Sequence, residues 1–185
     1  MYDQKDLVTL EQFLEFQPDD RVRAMLEFWS DARGSAAFPS YTDIDLMTVP
    51  RLAPETFVID SLGDGDFRYR FMGSKIDALV GGSFTGKKFS EARHGRVLEE
   101  ISSFFGTVVS NGLIGVLTTS LPSETSAYRT YVRTGFPLAD DHVSPNKVLG
   151  MIFPVGETRT VEQTYSSYWA DVDERGNADR RFVRI

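Results

Sequence analysis

Apolar positions recur at helical spacing near the start of the chain. Leu7, Leu10, Phe13 and Leu14 predict a first short helix, and Pro18 breaks it. Asp19 or Asp20 caps the next helix, because a short carboxylate accepts from the free amides of a first turn. Val22, Met25, Leu26 and Trp29 form its apolar stripe, Arg21, Arg23 and Glu27 face away, and Gly34 ends it. Residues 35–49 follow as a polar connection with little periodicity.

The period then falls to two. Residues 56–61 are β-branched and aromatic, and Gly63-Asp64-Gly65-Asp66 is a hairpin turn. Beyond it Phe67, Tyr69 and Phe71 alternate with Arg68, Arg70 and Met72, which predicts three aromatics on one face and the arginines on the other. Ile76, Leu79 and Val80 predict a short helix stopped by Gly81 and Gly82. A longer helix spans about 94–111, with Val97, Ile101, Phe104, Phe105 and Val108 on one face and Arg96, Glu99, Glu100 and Ser103 on the other. Three more strands are expected at 114–121, 128–136 and 148–155. After Pro154 the chain turns polar. Val161, Tyr165, Tyr168 and Trp169 share a helical face, and 173–185 reads as a tail.

This order resembles a PAS domain, a small α+β sensory module. The stretch from Arg51 to Glu91 carries the likeness, through its strand, turn, strand and glycine-broken helix and the spacing of Gly73, Gly82 and Gly86. It is closest to the alphaproteobacterial type, in which a helical N-terminal segment precedes the fold. The resemblance implies a five-stranded antiparallel sheet with the middle helices on one face. It divides the chain into an N-terminal helical extension at 1–50, a PAS-like domain at 51–156 and a C-terminal helix or tail at 157–185.

Composition narrows the function. The chain has 185 residues, 41% of them hydrophobic, which suits one domain with a real core plus appended helices. A net charge of −7 argues against nucleic acid and anionic membranes as partners. No stretch of 18 apolar residues predicts a membrane span, and the N-terminus lacks the pattern of a secretory signal. There are no cysteines, so disulfides, thiolate metal sites and cysteine nucleophiles are excluded, and the cytoplasm is the expected location. The flavin–thiol photochemistry known in similar modules is excluded for the same reason.

Several motifs approach known chemistry. Residues 81–88, GGSFTGKK, approach a phosphate loop, but Lys88 stands where a magnesium-binding hydroxyl belongs and a helix precedes them. A glycine-rich turn is the better reading. Asp43-Ile44-Asp45 and Asp64-Gly65-Asp66 lack the closing glutamate of a calcium loop and read as turns. His94 opens the long helix, the element that supplies the iron ligand in haem-binding relatives of this fold. Haem and non-covalent flavin are both disfavoured cofactors, and His142 is expected in solvent.

The aromatic set Phe67, Tyr69, Phe71, Phe84, Phe89, Phe104 and Phe105 is either plain core or the wall of an apolar ligand cavity. Tyr69, Phe71, Phe84, His94, Phe105, Thr118 and Tyr128 are the candidate ligand-binding residues, with Tyr69, His94, Thr118 and Tyr128 as its polar groups. The resemblance implies a non-catalytic sensor that binds a small apolar or aromatic molecule, or a protein, and relays by helix–sheet repacking. At this length no output domain is expected beside it, so a separate signalling protein is the expected partner. The Trp29 stripe suits either the chain's own sheet or a homodimer. Two alternatives stand. One is an isomerase- or dehydratase-type enzyme on a similar curved sheet, with Asp60 as the nearest strand carboxylate. The other is a ligand-free interaction adaptor.

Overall fold

A hairpin, a three-stranded meander and a C-terminal strand build one antiparallel sheet. The computed structural model describes residues 3–91, 95–122, 128–155 and 177–185. Its strands are β1 (Thr56–Ser61), β2 (Phe67–Met72), β3 (Ile114–Pro122), β4 (Tyr128–Leu138), β5 (Lys147–Val155) and β6 (Asn177–Val183). They lie in the order β2-β1-β5-β4-β3-β6, and each neighbouring pair is antiparallel. The five expected strands are all present, so the fold is α+β.

β6 is the addition. It pairs with β3 from Ile114↔Val183 to Ser120↔Asn177, where a tail was expected. Its composition is polar, but Phe182 and Val183 are fully buried against opposite faces of the sheet. The expected helical face at 161–169 lies outside the described residues.

Among the described residues four helices cover the sheet: α1 (Leu10–Phe16), α2 (Asp20–Arg33), α3 (Ser74–Val80) and α4 (Gly95–Asn111). Local chemistry sets their ends. Thr9 and Gln12 form a capping box on α1, and Asp19 accepts from the Arg21 amide at 2.9 Å to start α2. Alternation along each strand then gives the sheet two buried faces. Phe57, Ile59, Phe67, Leu117, Val148 and Ile152 pack under α3 and α4 on the inner face. Val58, Val116, Val132, Phe136, Leu149, Met151 and Phe153 pack against α1 and α2 on the outer face. The middle helices α3 and α4 thus lie on one face, and the N-terminal α1 and α2 cover the other. Trp29 is 1% exposed, and its Nε1 donates to the Pro137 carbonyl at 2.8 Å. The apolar stripe of α2 is thus buried on the chain's own sheet.

Gly115, Gly135 and Gly150 leave the inner face bare across three central strands. A Cβ on Gly115 would stand 2.7 Å from the Phe104 ring, and one on Gly150 would stand 2.3 Å from the Phe57 ring. The rings therefore sit directly on backbone. Both sheet edges are covered, which removes a template for stray strand pairing. At β2 the glycine turn covers the edge: the Gly86 amide donates to the Tyr69 carbonyl at 2.7 Å, and the Tyr69 amide donates to the Lys87 carbonyl at 3.0 Å. The Val8 amide donates to the Phe182 carbonyl at 2.9 Å at β6.

Candidate functional site

One extra residue in β2 decides what faces inward. Val58 stands opposite Phe71 and Ile59 opposite Tyr69, so Arg70 has no partner in β1. This is a β-bulge, and it inverts the alternation from that point on. Phe67, Tyr69 and Met72 turn to the inner face, while Phe71 joins the outer cluster. The three aromatics of β2 therefore do not share a face, and Phe71 is withdrawn from the candidate site. Arg70 swings out instead. Its Nε donates to Asp60 at 2.8 Å, and its guanidinium lies 5.2 Å from the Tyr41 ring centroid.

Beneath α3 lies a cavity of about 50 Å³. The sheet supplies Phe57, Tyr69, Met72, Arg133 and Ile152 to its wall. Ile76 and Val80 come from α3, and Ile101 and Phe105 from α4. Phe84 comes from the glycine turn, and Phe89 from a single 3-10 turn at Phe89–Glu91. Tyr69 stacks between the last two, with centroids 4.5 Å from Phe89 and 6.1 Å from Phe84. Phe105 meets Phe57 edge-on at 5.5 Å.

The glycine turn earns its composition here. Gly81 ends α3 in the left-handed conformation, and Gly86 has φ +87°. Those angles fold the segment back so that it pairs with β2 and inserts Phe84 into the cavity wall. It follows a helix and pairs with an edge strand, so it is a clamp rather than a phosphate cradle. The Phe89 turn is anchored separately. Asp66 accepts from the Ser90 hydroxyl at 2.7 Å and from the Ser90 amide at 3.3 Å. Burial opposes ionisation of Asp66, but these bonds and the Phe67 amide outweigh it and hold the carboxyl below its ordinary value.

Of the candidate residues, Tyr69, Phe84 and Phe105 line the cavity. Thr118 does not: it stands opposite Val132, on the outer face. Its neighbour Thr119 takes the inner position and is buried. Residues 114–117 are apolar on both faces apart from Gly115, so periodicity could not fix the parity of β3. Tyr128 opens β4, but its side chain lies outside those described, and His94 lies outside the described residues altogether. Asp60 shares the outer face with Val58 and pairs with Arg70, away from the cavity. His142 is half exposed, and its Nδ1 lies 3.1 Å from the Phe38 carbonyl.

Sequence reasoning missed Arg133. It is 4% exposed and reaches into the cavity wall, where its Nη1 donates to Thr119 Oγ1 at 2.6 Å. Among the described wall residues it is the single charged group. The paired aspartates at 43–45 and 64–66 are turn formers, as expected. Asp45 and Asp64 accept from the Met47 and Asp66 amides at 3.0 Å, and Asp43 accepts from the Ser40 amide at 2.8 Å.

A charged link runs from the cavity lid to the outer helices. Glu55, whose side chain is 8% exposed, accepts from Lys75 of α3 at 2.9 Å and from Arg21 of α2 at 3.2 Å. Arg21 was expected on the solvent side of α2. Instead its guanidinium lies 3.7 Å from the Phe153 ring centroid and grips Asp19 through two bonds of 2.9 and 2.7 Å. That grip holds the Asp19 carboxyl below its ordinary value and pushes Arg21 up.

Residues 19–153 match a family model described as PAS domain. The chain is also similar to solved structures, among them the following three. VqmA bound to DPO gives a TM-score of 0.47 at 12% identity, covering 61% of this chain and 58% of that one. The Vibrio cholerae VqmA dimer without target DNA gives 0.47 at 11%, covering 62% and 54%. A sensory box histidine kinase/response regulator from Burkholderia thailandensis gives 0.37 at 10%, covering 60% and 85%. The likeness thus spans little more than half of the VqmA chains. No curated protein matches the chain by sequence.

Proposed function

The chain belongs to the PAS domain family, and on that premise we propose that it is a non-catalytic sensory module. Its cavity takes a small, mostly apolar molecule and relays occupancy to a separate signalling protein. The observation that carries this reading is the ring-lined cavity of about 50 Å³ beneath a lid built from short, separately anchored pieces. An apolar cavity of ~150 Å³ holds benzene, so this one of about 50 Å³ is too small as it stands for a flavin or a haem. A ligand larger than a few atoms must lift α3 or the turns beside it.

The relay follows from that requirement. Lys75 sits on the lid and shares Glu55 with Arg21 on the outer face. A ligand that prefers the lifted lid shifts the population toward a state in which this link is rearranged, and the surface of α2 changes with it. Any homodimer would meet through residues other than the buried Val22, Met25 and Trp29.

The small volume also favours a second reading, a ligand-free interaction adaptor with a nearly filled core. Native mass spectrometry separates the two. The sensor reading expects a small-molecule mass excess that denaturation releases. It also expects loss of that excess when Ile76→Trp fills the cavity. A spectrum at the mass of the bare chain turns the reading to the adaptor.

A further inference from the structure

Resting on the reading that output passes to a separate protein, we infer that this partner docks in a second cleft, built around the Lys75–Glu55–Arg21 link, through a short apolar segment bearing one carboxylate. The cleft measures about 620 Å³ and lies between the first turns of α2, residues 48–52 and the start of α3. Ala24, Val49, Pro50 and Leu52 give it an apolar surface. Local bonds set its shape. The Leu52 and Ala53 amides donate to the Val49 carbonyl at 2.9 and 3.2 Å, and Thr56 Oγ1 donates to the Leu52 carbonyl at 2.8 Å. A Cβ on Gly73 would stand 2.3 Å from the Ala53 carbonyl oxygen, so the start of α3 is pressed onto the same turn. A site shaped in this way receives its occupant with little reorganisation.

The charged groups of the cleft are unequally occupied. Both oxygens of Glu55 are taken, one by Lys75 and one by Arg21, and Arg21 also spends Nε and Nη2 on Asp19. Lys75 spends one of its three N–H donors on Glu55. Arg51 is exposed and pairs with no carboxylate among the described residues. Arg51 and Lys75 therefore have donors to offer an incoming carboxylate. Asp20 stands in the same wall and repels a cluster of acids, which limits the segment to one.

Met47 points to a protein rather than a small molecule. It adjoins Thr48 of the wall and is 85% exposed, so the apolar surface runs on past the cleft. The incoming carboxylate competes with Glu55 for Lys75. A lifted lid draws Lys75 from Glu55 and frees it for the partner, so docking and cavity filling favour each other.

Capped tetrapeptides carrying one glutamate among leucine, valine or phenylalanine are titrated onto the full chain at neutral pH, beside their glutamine counterparts. Methyl NMR of Ala24, Val49 and Leu52 reports the cleft. Saturable shifts are expected there, with the glutamate peptides binding about five-fold tighter and losing that margin at high salt. Arg51→Gln and Lys75→Gln are each expected to remove part of the margin. Arg51→Gln alters an exposed side chain and leaves the fold intact. Glu55→Gln is expected to widen the margin, because Lys75 then lacks its counter-ion. Glutamine peptides binding as tightly as glutamate peptides, or a margin unchanged when Arg51→Gln and Lys75→Gln are combined, overturns the carboxylate. Hexanoate binding as tightly as the peptides gives the cleft to a small molecule and overturns the docking segment. No peptide moving the cleft methyls sinks the docking site, while the cavity reading stands or falls on its own mass spectrum.

Discussion

The two faces of the sheet are both lined with large apolar side chains, yet they are closed in different ways. The outer face is covered by the 14 residues of α2, whose Val22, Met25 and Trp29 fall in one continuous stripe. A long helix can interdigitate along its whole length, and Trp29 fills what remains. The inner face is covered by α4 together with the seven residues of α3, the glycine turn and a three-residue turn. Each short piece is anchored by its own bonds, so they cannot all settle to full contact, and a hollow remains. The same composition thus serves as structural ballast on one side and as a receptive site on the other, and the difference lies in the continuity of the cover.

Trp29→Ala should break the outer face. A loss of about 3–5 kcal/mol in urea unfolding is expected for a buried tryptophan. A loss under about 1 kcal/mol would place the anchor of the N-terminal helices elsewhere. Gly150→Ala strikes the inner face through the Phe57 ring, which is itself part of the cavity wall. Its Cβ would meet both the Phe57 ring and the Thr134 carbonyl oxygen at 2.3 Å. Overpacking against a backbone atom should cost about 3 kcal/mol, read by thermal unfolding.

A matched pair of insertions sharpens the contrast. Val22→Leu adds a methylene where the outer face is full and should cost about 1–3 kcal/mol. Val80→Leu adds the same group beside the hollow and should change stability by less than about 1 kcal/mol, while weakening whatever binds there. Equal costs for the two would mean that the inner face is packed as tightly as the outer.

Glu55→Gln tests the link between the faces. Both partners are part-exposed, so the loss should be modest, about 1–2 kcal/mol. The larger effect should be a change in hydrogen exchange on α3 and α2 together. Exchange altered on one helix alone would show that they are not coupled through Glu55.

Acid should act weakly and on the outer side. The Arg21 bond lowers the folded-state pKa of Asp19 below its unfolded value. Its contribution is therefore complete above the ordinary aspartate range and is lost as pH falls through the depressed folded value. Asp19→Asn keeps a cap but should flatten this part of the acid-unfolding curve. An unchanged curve would remove Asp19 from the acid response.

Much of this architecture could be read directly from residue order. Period-two runs bounded by Gly63–Asp66 and by the glycine turn gave the hairpin. Helical stripes ended by Pro18 and Gly34 gave α1 and α2. The aromatic wall was half legible, since Tyr69, Phe84 and Phe105 reach it. Phe71 and Thr118 were misplaced because one bulged residue, or one position of register, exchanges the two faces of a strand. Arg133 was overlooked because a cation in a strand reads as solvent-facing until the neighbouring strands are known.

The chain on its own determined the order of elements, their caps and turns, and the apolar content of both sheet faces, since these depend on neighbours a few residues apart. Tertiary structure decided the rest. It chose which face each β2 side chain occupies, seated Phe182 as the end of a sixth strand, joined Lys75 to Arg21 through Glu55, and carried Arg133 into the hollow. Those outcomes depend on pairing between residues far apart in sequence, where register and packing override any local preference.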